Sequence, residues 1–138
     1  MKRSRVLVVG AVAGALVMVA SPAHAVQSLT ASDYSSVWGS ADVTFPGQNR
    51  VDPINNLKAW DRACDGNAVY VRFIVYTPAG QFKTGERRND SGCGTTVTWD
   101  GLYIHDREGI KGVRLEACVD SIGTDECDTS SYADNPHL

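Results

Sequence analysis

The chain has 138 residues, 13 basic and 16 acidic side chains, a formal net charge of −3 and four cysteines. That size excludes a multidomain enzyme, and the acidic balance excludes a nucleic-acid binder that relies on positive charge.

The chain opens on Lys2, Arg3 and Arg5, then an apolar run from Val6 to Ala20, then Ser21-Pro22-Ala23-His24-Ala25. Basic, apolar, then small-x-small is the order of a secretory signal peptide, here residues 1–25. The run of 15 residues falls short of the roughly 20 that cross a bilayer as a helix. Val26 follows the cut, so the cysteine of a lipid anchor is missing there. Cleavage leaves 113 residues with ten basic and sixteen acidic side chains, a net charge of −6. The expected location is extracellular, with no membrane association after cleavage.

Residues 26–36 are polar and rich in Ser and Thr, and read as a flexible N-terminal segment or a short leading strand. The folded domain is expected over 37–138. Val37–Phe45 mixes apolar and small residues and ends at the turn signal Pro46-Gly47. Gln48–Asn56 holds Asp52-Pro53 and Asn55-Asn56 and reads as loop, followed by a short strand over Leu57–Arg62. Asn67–Thr77 is dense in β-branched and aromatic residues and is the clearest strand; Pro78-Ala79-Gly80 closes it. Phe82 falls on a short return strand, and Thr84–Gly94 reads as an exposed loop tied down at Cys93. Thr95–Trp99 and Leu102–His105 read as strands joined by an Asp100-Gly101 hairpin turn. Asp106–Gly109 is another turn. Over Ile110–Asp120, Val113, Leu115, Ala117 and Val119 face one side, and Arg114, Glu116, Cys118 and Asp120 the other. That period of two predicts a half-buried strand. Tyr132 falls on a last strand. No segment sustains a helical period, so the expected fold is all-β, a small antiparallel β-sandwich or barrel.

An even number of cysteines in a small exported chain predicts oxidised pairs. No C-x-x-C pair and no histidine at ligand spacing supports a zinc site. The preferred pairing is Cys64–Cys93 with Cys118–Cys127, because Asp120–Asp125 reads as a turn that returns the chain between the last two. The alternative is Cys93–Cys118 with Cys64–Cys127.

The Ala-rich leader, the strand around Val69–Tyr76, and Val113–Asp120 followed by Cys127 resemble small exported β proteins of actinobacteria. Cys64, then Val69-Tyr70-Val71-Arg72, Thr95-Thr96 and Asp100-Gly101 before Cys118, also resemble tendamistat-type α-amylase inhibitors. That likeness implies a two-disulfide β-sandwich that inhibits through a Trp-Arg-Tyr triplet. The nearest match here is Trp60-Asp61-Arg62, with an aspartate inserted and no tyrosine.

Among candidate sites, His105 is the only histidine in the body of the domain, and no Gly-x-Ser-x-Gly elbow accompanies it. No catalytic residue, cofactor or metal is expected. Asp120, Asp125, Glu126 and Asp128 crowd one turn, which is the chemistry of a weak calcium site or of a solvated loop. Asn89-Asp90-Ser91 is a glycosylation sequon. Arg87 and Arg88 on a rigid tip could face a trypsin-like protease. An exposed row drawn from Trp38, Trp60 and Trp99 with Tyr34, Tyr70, Tyr76, Tyr103 and Tyr132 could stack on sugars or grip a partner, with Trp60, Trp99 and Tyr103 foremost and Trp99 and Tyr103 straddling the Asp100-Gly101 turn. The expected function is non-catalytic binding of an extracellular protein or carbohydrate by a monomer, without nucleic acid. The alternative is inhibition of an extracellular hydrolase through the Arg87–Arg88 loop.

Overall fold

The computed structural model describes residues 24–33 and 35–138. The leader expected over 1–25 lies outside the described residues apart from His24 and Ala25. Eleven strands follow one another without a helix among the described residues: β1 (Gln27–Asp33), β2 (Val37–Val43), β3 (Arg50–Asp61), β4 (Val69–Thr77), β5 (Gly80–Lys83), β6 (Arg87–Asn89), β7 (Thr96–Trp99), β8 (Leu102–His105), β9 (Gly112–Val119), β10 (Glu126–Thr129) and β11 (Ala133–Asp134). Every pairing between them is antiparallel.

Three pairs of short strands are halves of broken edge strands. β7 and β8 both pair with β3, β5 and β6 both pair with β4, and β10 and β11 both pair with β9. The molecule is therefore two sheets of four rows each. The first runs β1, β2, β3, β7/β8; the second runs β10/β11, β9, β4, β5/β6.

The Asp100-Gly101 hairpin expected from sequence does not form. Trp99 pairs with Leu57 and Leu102 with Ile54, so the chain continues along β3 instead of reversing. The gap opposite Asn55-Asn56 is spliced by side chains. The Asn56 amide donates to Asp100 Oδ1 at 2.7 Å, and the Gly101 amide to Asn55 Oδ1 at 2.9 Å. The two local turn signals are spent on each other.

Two further stretches are more ordered than their composition implies. Gln48–Asn56, read as loop, supplies the first half of the 12-residue strand β3. A register shift opposite Ser40 and Asp42 places Asn56 at φ 50°, in the left-handed region that Asn tolerates. Residues 27–33, inside the segment read as flexible or as a short leading strand, form that strand and pair with β2 along their whole length.

The inner faces meet in one core: Leu29 and Ala31 of β1, Val37, Ala41 and Val43 of β2, Ile54, Leu57 and Ala59 of β3, and Val69, Val71, Phe73 and Val75 of β4. The alternation read in β9 holds, since Val113, Leu115, Ala117 and Val119 join this core. Burying each such side chain contributes roughly 1.5–3 kcal/mol. Gly39 leaves no room for a side chain between the sheets: a Cβ there would lie 2.8 Å from Val71 Cγ1 and 3.1 Å from Ala117 Cβ.

Both disulfides form as preferred, Cys64–Cys93 and Cys118–Cys127. Cys118 and Cys127 are cross-strand partners of β9 and β10. Two structural disulfides and no free cysteine fit an oxidising environment. No described helix is long and apolar enough to cross a membrane.

Candidate functional site

The outer face of the first sheet carries cross-strand rows of side chains. Ser32, Trp38, Trp60 and Thr96 form one row; Thr30, Ser40, Lys58 and Thr98 form the next. Strand alternation turns Trp60 and Arg62 to this face and sends Asp61 inward. Trp38 meets Trp60 edge-on, with ring centroids 6.4 Å apart at 74°. The Arg62 guanidinium lies 5.0 Å from the Trp60 ring centre, and Arg62 has no ion pair among the described residues. Trp60 is 37% exposed, which is high for a tryptophan. The third row is held by Asp42, whose carboxylate accepts the Ser28 hydroxyl at 2.7 Å and the Asn56 side-chain amide at 2.8 Å. Those two bonds hold the Asp42 carboxyl below its ordinary range. This face carries one aromatic pair, one guanidinium without an ion pair among the described residues, and the hydroxyl side chains of Thr30, Ser40, Thr96 and Thr98, while the Ser32 hydroxyl is buried.

The outer face of the second sheet is used differently. Its first row is Cys127, Cys118, Tyr70 and Arg88. Tyr70 is buried although it points away from the core, because Arg72 and Arg88 lie over its ring at 5.3 Å and 5.9 Å. Its hydroxyl donates to Asp125 at 2.7 Å. Burial, and then that bond, push the phenol up to about 12. In the next row Glu116 accepts Arg72 at 2.5 Å and Lys83 at 3.0 Å. Burial alone would raise Glu116, but the bonds from Arg72 and Lys83 outweigh it and the carboxyl lies below its ordinary range. This layer is satisfied internally and acts as a second, polar core.

Between the sheets, the broken strands β5/β6 and β7/β8 lie along the same open side. Their interruptions, Thr84–Glu86 and Gly101, flank a cleft of about 490 Å³. Ile54, Leu57, Phe73, Leu102 and Ile104 supply its apolar lining, and Arg72, Glu86, Arg87 and Tyr103 its polar side.

The five residues expected to bind are thus divided among four places. Trp60 stands on the outer face of the first sheet. Trp99 points inward and packs against the core, as pairing with Leu57 requires. Tyr103 points the other way, is 65% exposed, and has Arg50 5.1 Å from its ring centre. Trp99 and Tyr103 therefore form no common patch. Arg87 and Arg88 are not on a protruding loop; they belong to β6, paired with Val71 and Tyr70. Alternation separates them, with Arg88 on Tyr70 and Asp120 and Arg87 at the cleft.

The remaining candidates also find local partners. Asn89 of the sequon is fully buried, and its side-chain amide donates to the Ala59 and Thr95 carbonyls at 3.0 Å and 2.9 Å. A glycan acceptor must be exposed, so this asparagine is structural. In the acidic turn, Asp125 takes the Tyr70 hydroxyl and the Ser121 amide, Asp120 takes Arg88, and Asp128 takes the Thr129 amide. Glu116, Cys118 and Cys127 cluster closely, but both sulfurs belong to the disulfide. His105 lines a shallow depression with Pro46, Gly47, Asn49, Arg50 and Asp52, a set that contains no hydroxyl or thiol side chain.

Sequence reasoning named Trp38 only among the aromatics at large and Arg62 only in the triplet comparison, and it missed the hydroxyl rows. Period-two reading of Val37–Val43 and Leu57–Arg62 could have put Trp38, Trp60 and Arg62 on outer faces, but the register that unites them is tertiary. No protein-family model, curated protein or solved structure matches this chain.

Proposed function

We propose that the protein is a secreted, non-catalytic binding protein that takes a carbohydrate on the outer face of its first sheet, centred on Trp60. One observation carries the reading. Trp60 is braced edge-on by Trp38 and flanked by the guanidinium of Arg62, beside rows of Thr and Ser hydroxyls. An indole offers a broad apolar surface for the C–H face of a sugar ring, and its rigidity keeps the ordering cost low. Guanidinium and hydroxyl groups suit the equatorial hydroxyls around that ring. The leader of residues 1–25 and the disulfides support export.

The test is affinity electrophoresis of the oxidised mature chain through soluble polysaccharides, with sedimentation on cellulose, chitin and peptidoglycan. Retardation by at least one glycan is expected. Trp60→Ala should weaken it at least tenfold, and Arg62→Ala should weaken it less. Absence of binding across the panel, or a Trp60→Ala variant that binds like the parent, overturns the reading.

A second reading is a secreted inhibitor of an extracellular glycosidase. It is favoured by the same pair, because turning Asp61 inward brings Trp60 and Arg62 side by side. Inhibition of α-amylase that disappears in both Trp60→Ala and Arg62→Ala, without glycan binding, would select it.

A further inference from the structure

We propose that the cleft on the open side of the sandwich is a separate binding site for a small aliphatic carboxylate, its chain on the apolar lining and its charge on Arg87. The volume of about 490 Å³ lies within the roughly 300–1,000 Å³ typical of small-molecule sites. Its lining is not incidental surface. Ile54, Leu57 and Phe73 form its floor as members of the main core, each no more than 3% exposed, and the interruptions of both edge strands border it. Leu102 and Ile104 are only partly buried although they point inward, so apolar area remains for a ligand chain to cover. Removing such area from water stabilises a complex by roughly 25 cal/mol per Å² before ordering costs.

The charges around the cleft choose the sign of the ligand. Arg72 is already held by Glu116 and by Glu86, at 2.5 Å and 3.5 Å. Glu86 is in turn shared between Arg72 and Arg88. Arg87 has no ion pair or side-chain hydrogen bond among the described residues. It is the uncompensated charge beside an apolar lining, and its planar fork matches a carboxylate. A neutral apolar molecule would leave that guanidinium unused, and a cation would be repelled by it.

Decanoate, kept below its micelle concentration, is the probe. Isothermal titration with the oxidised mature chain should show one site, and methyl or aromatic NMR shifts should fall on Leu102, Ile104 and Phe73. Decyltrimethylammonium, with the same chain and opposite charge, should bind at least tenfold more weakly. Arg87→Glu should lower decanoate affinity tenfold or more and reverse the preference between the two probes. Leu102→Trp, which fills the cleft, should abolish binding of both. If that variant fails to fold, shift mapping on the parent and the exposed Arg87→Glu variant still decide. No decanoate binding, equal binding of both probes, an Arg87→Glu variant that binds decanoate unchanged, or shifts confined to the Trp60 face would each overturn the proposal.

Discussion

The Phe73 amide donates to the Thr84 hydroxyl at 2.9 Å, and the Thr84 amide donates back to the Phe73 carbonyl at 2.9 Å. The second sheet repeats this at its other edge. Leu115 donates to the Ser130 hydroxyl at 2.9 Å, and the Ser130 amide returns to the Leu115 carbonyl at 2.8 Å. Phe73 and Leu115 are themselves cross-strand partners. Each edge strand gains one residue at this level, so a hydroxyl stands where a backbone carbonyl would be. The central strands keep their hydrogen bonds while the edges bend away, which makes the edges poor templates for pairing with another chain.

Removing either hydroxyl should therefore destabilise the fold without altering its outline. Ser130→Ala should cost about 1–3 kcal/mol, because Ser130 is buried and the Leu115 amide would be left unpaired. Thr84→Val should cost about 1 kcal/mol, since its site is more open to replacement by water. Urea unfolding with the disulfides intact measures both. Losses below a few tenths of a kcal/mol would show that the hydroxyls are dispensable.

Gly39 should tolerate no side chain. Gly39→Val places branched carbon where Val71 and Ala117 already sit, and overpacking of this kind costs roughly 1–3 kcal/mol. Gly47→Ala is the contrast, because nothing lies within 4 Å of a Cβ built there. Thermal unfolding of the two variants should differ clearly, with Gly47→Ala close to the parent.

Two carboxyls should give opposite pH dependences. Burial raises Asp61, opposed by the Ala63 amide. Its ionisation therefore opposes folding, and the protein loses stability as pH rises through the raised value. Asp61→Asn should gain relative to the parent above that value and show no such gain below it. Glu116 lies below its ordinary 4.5 once the Arg72 and Lys83 bonds have outweighed burial. Its stabilisation is complete above the ordinary value and is lost as pH falls through the lowered one. Glu116→Gln should thus be worse than the parent at neutral pH, with the deficit shrinking in acid. Urea midpoints between about pH 3 and pH 7 separate the two slopes, and a common sign would refute the assignment.

Tyr70 should be the last of its neighbours to ionise. Its phenol is pushed up to about 12, by burial first and the Asp125 bond second. In an ultraviolet tyrosinate titration, Tyr70→Phe should delete the component near about 12. Losing the hydroxyl–carboxylate bond should also cost about 1–2 kcal/mol. A titration curve unchanged in its most alkaline part would show that Tyr70 ionises normally.

Much of this molecule was legible in local pattern. The stretch dense in β-branched and aromatic residues at Val69–Tyr76 and the alternation at Val113–Val119 marked the two central strands of the second sheet, and the short turn after Asp120 marked the Cys118–Cys127 pair. Asp100-Gly101 misled because a turn dipeptide has the same composition whether it reverses the chain or interrupts a strand. Only Asn55 and Asn56, far away in sequence, provide the bonds that select interruption. Arg87-Arg88 misled for a similar reason: a charged, glycine-flanked segment reads as loop, and although both arginines stay exposed, they pair along β4 as an edge strand.

The amino-acid order by itself determined the all-β class and the inward faces of the long strands, and it favoured the Cys118–Cys127 pair. Those follow from side-chain period within a strand and from a short chain return between two neighbouring strands. Tertiary structure alone decided that Arg87 and Arg88 part company, that Trp38 and Arg62 join Trp60, and that two interrupted edges open onto the core. Each depends on register between distant strands, and a one-residue shift in register moves a side chain to the opposite face.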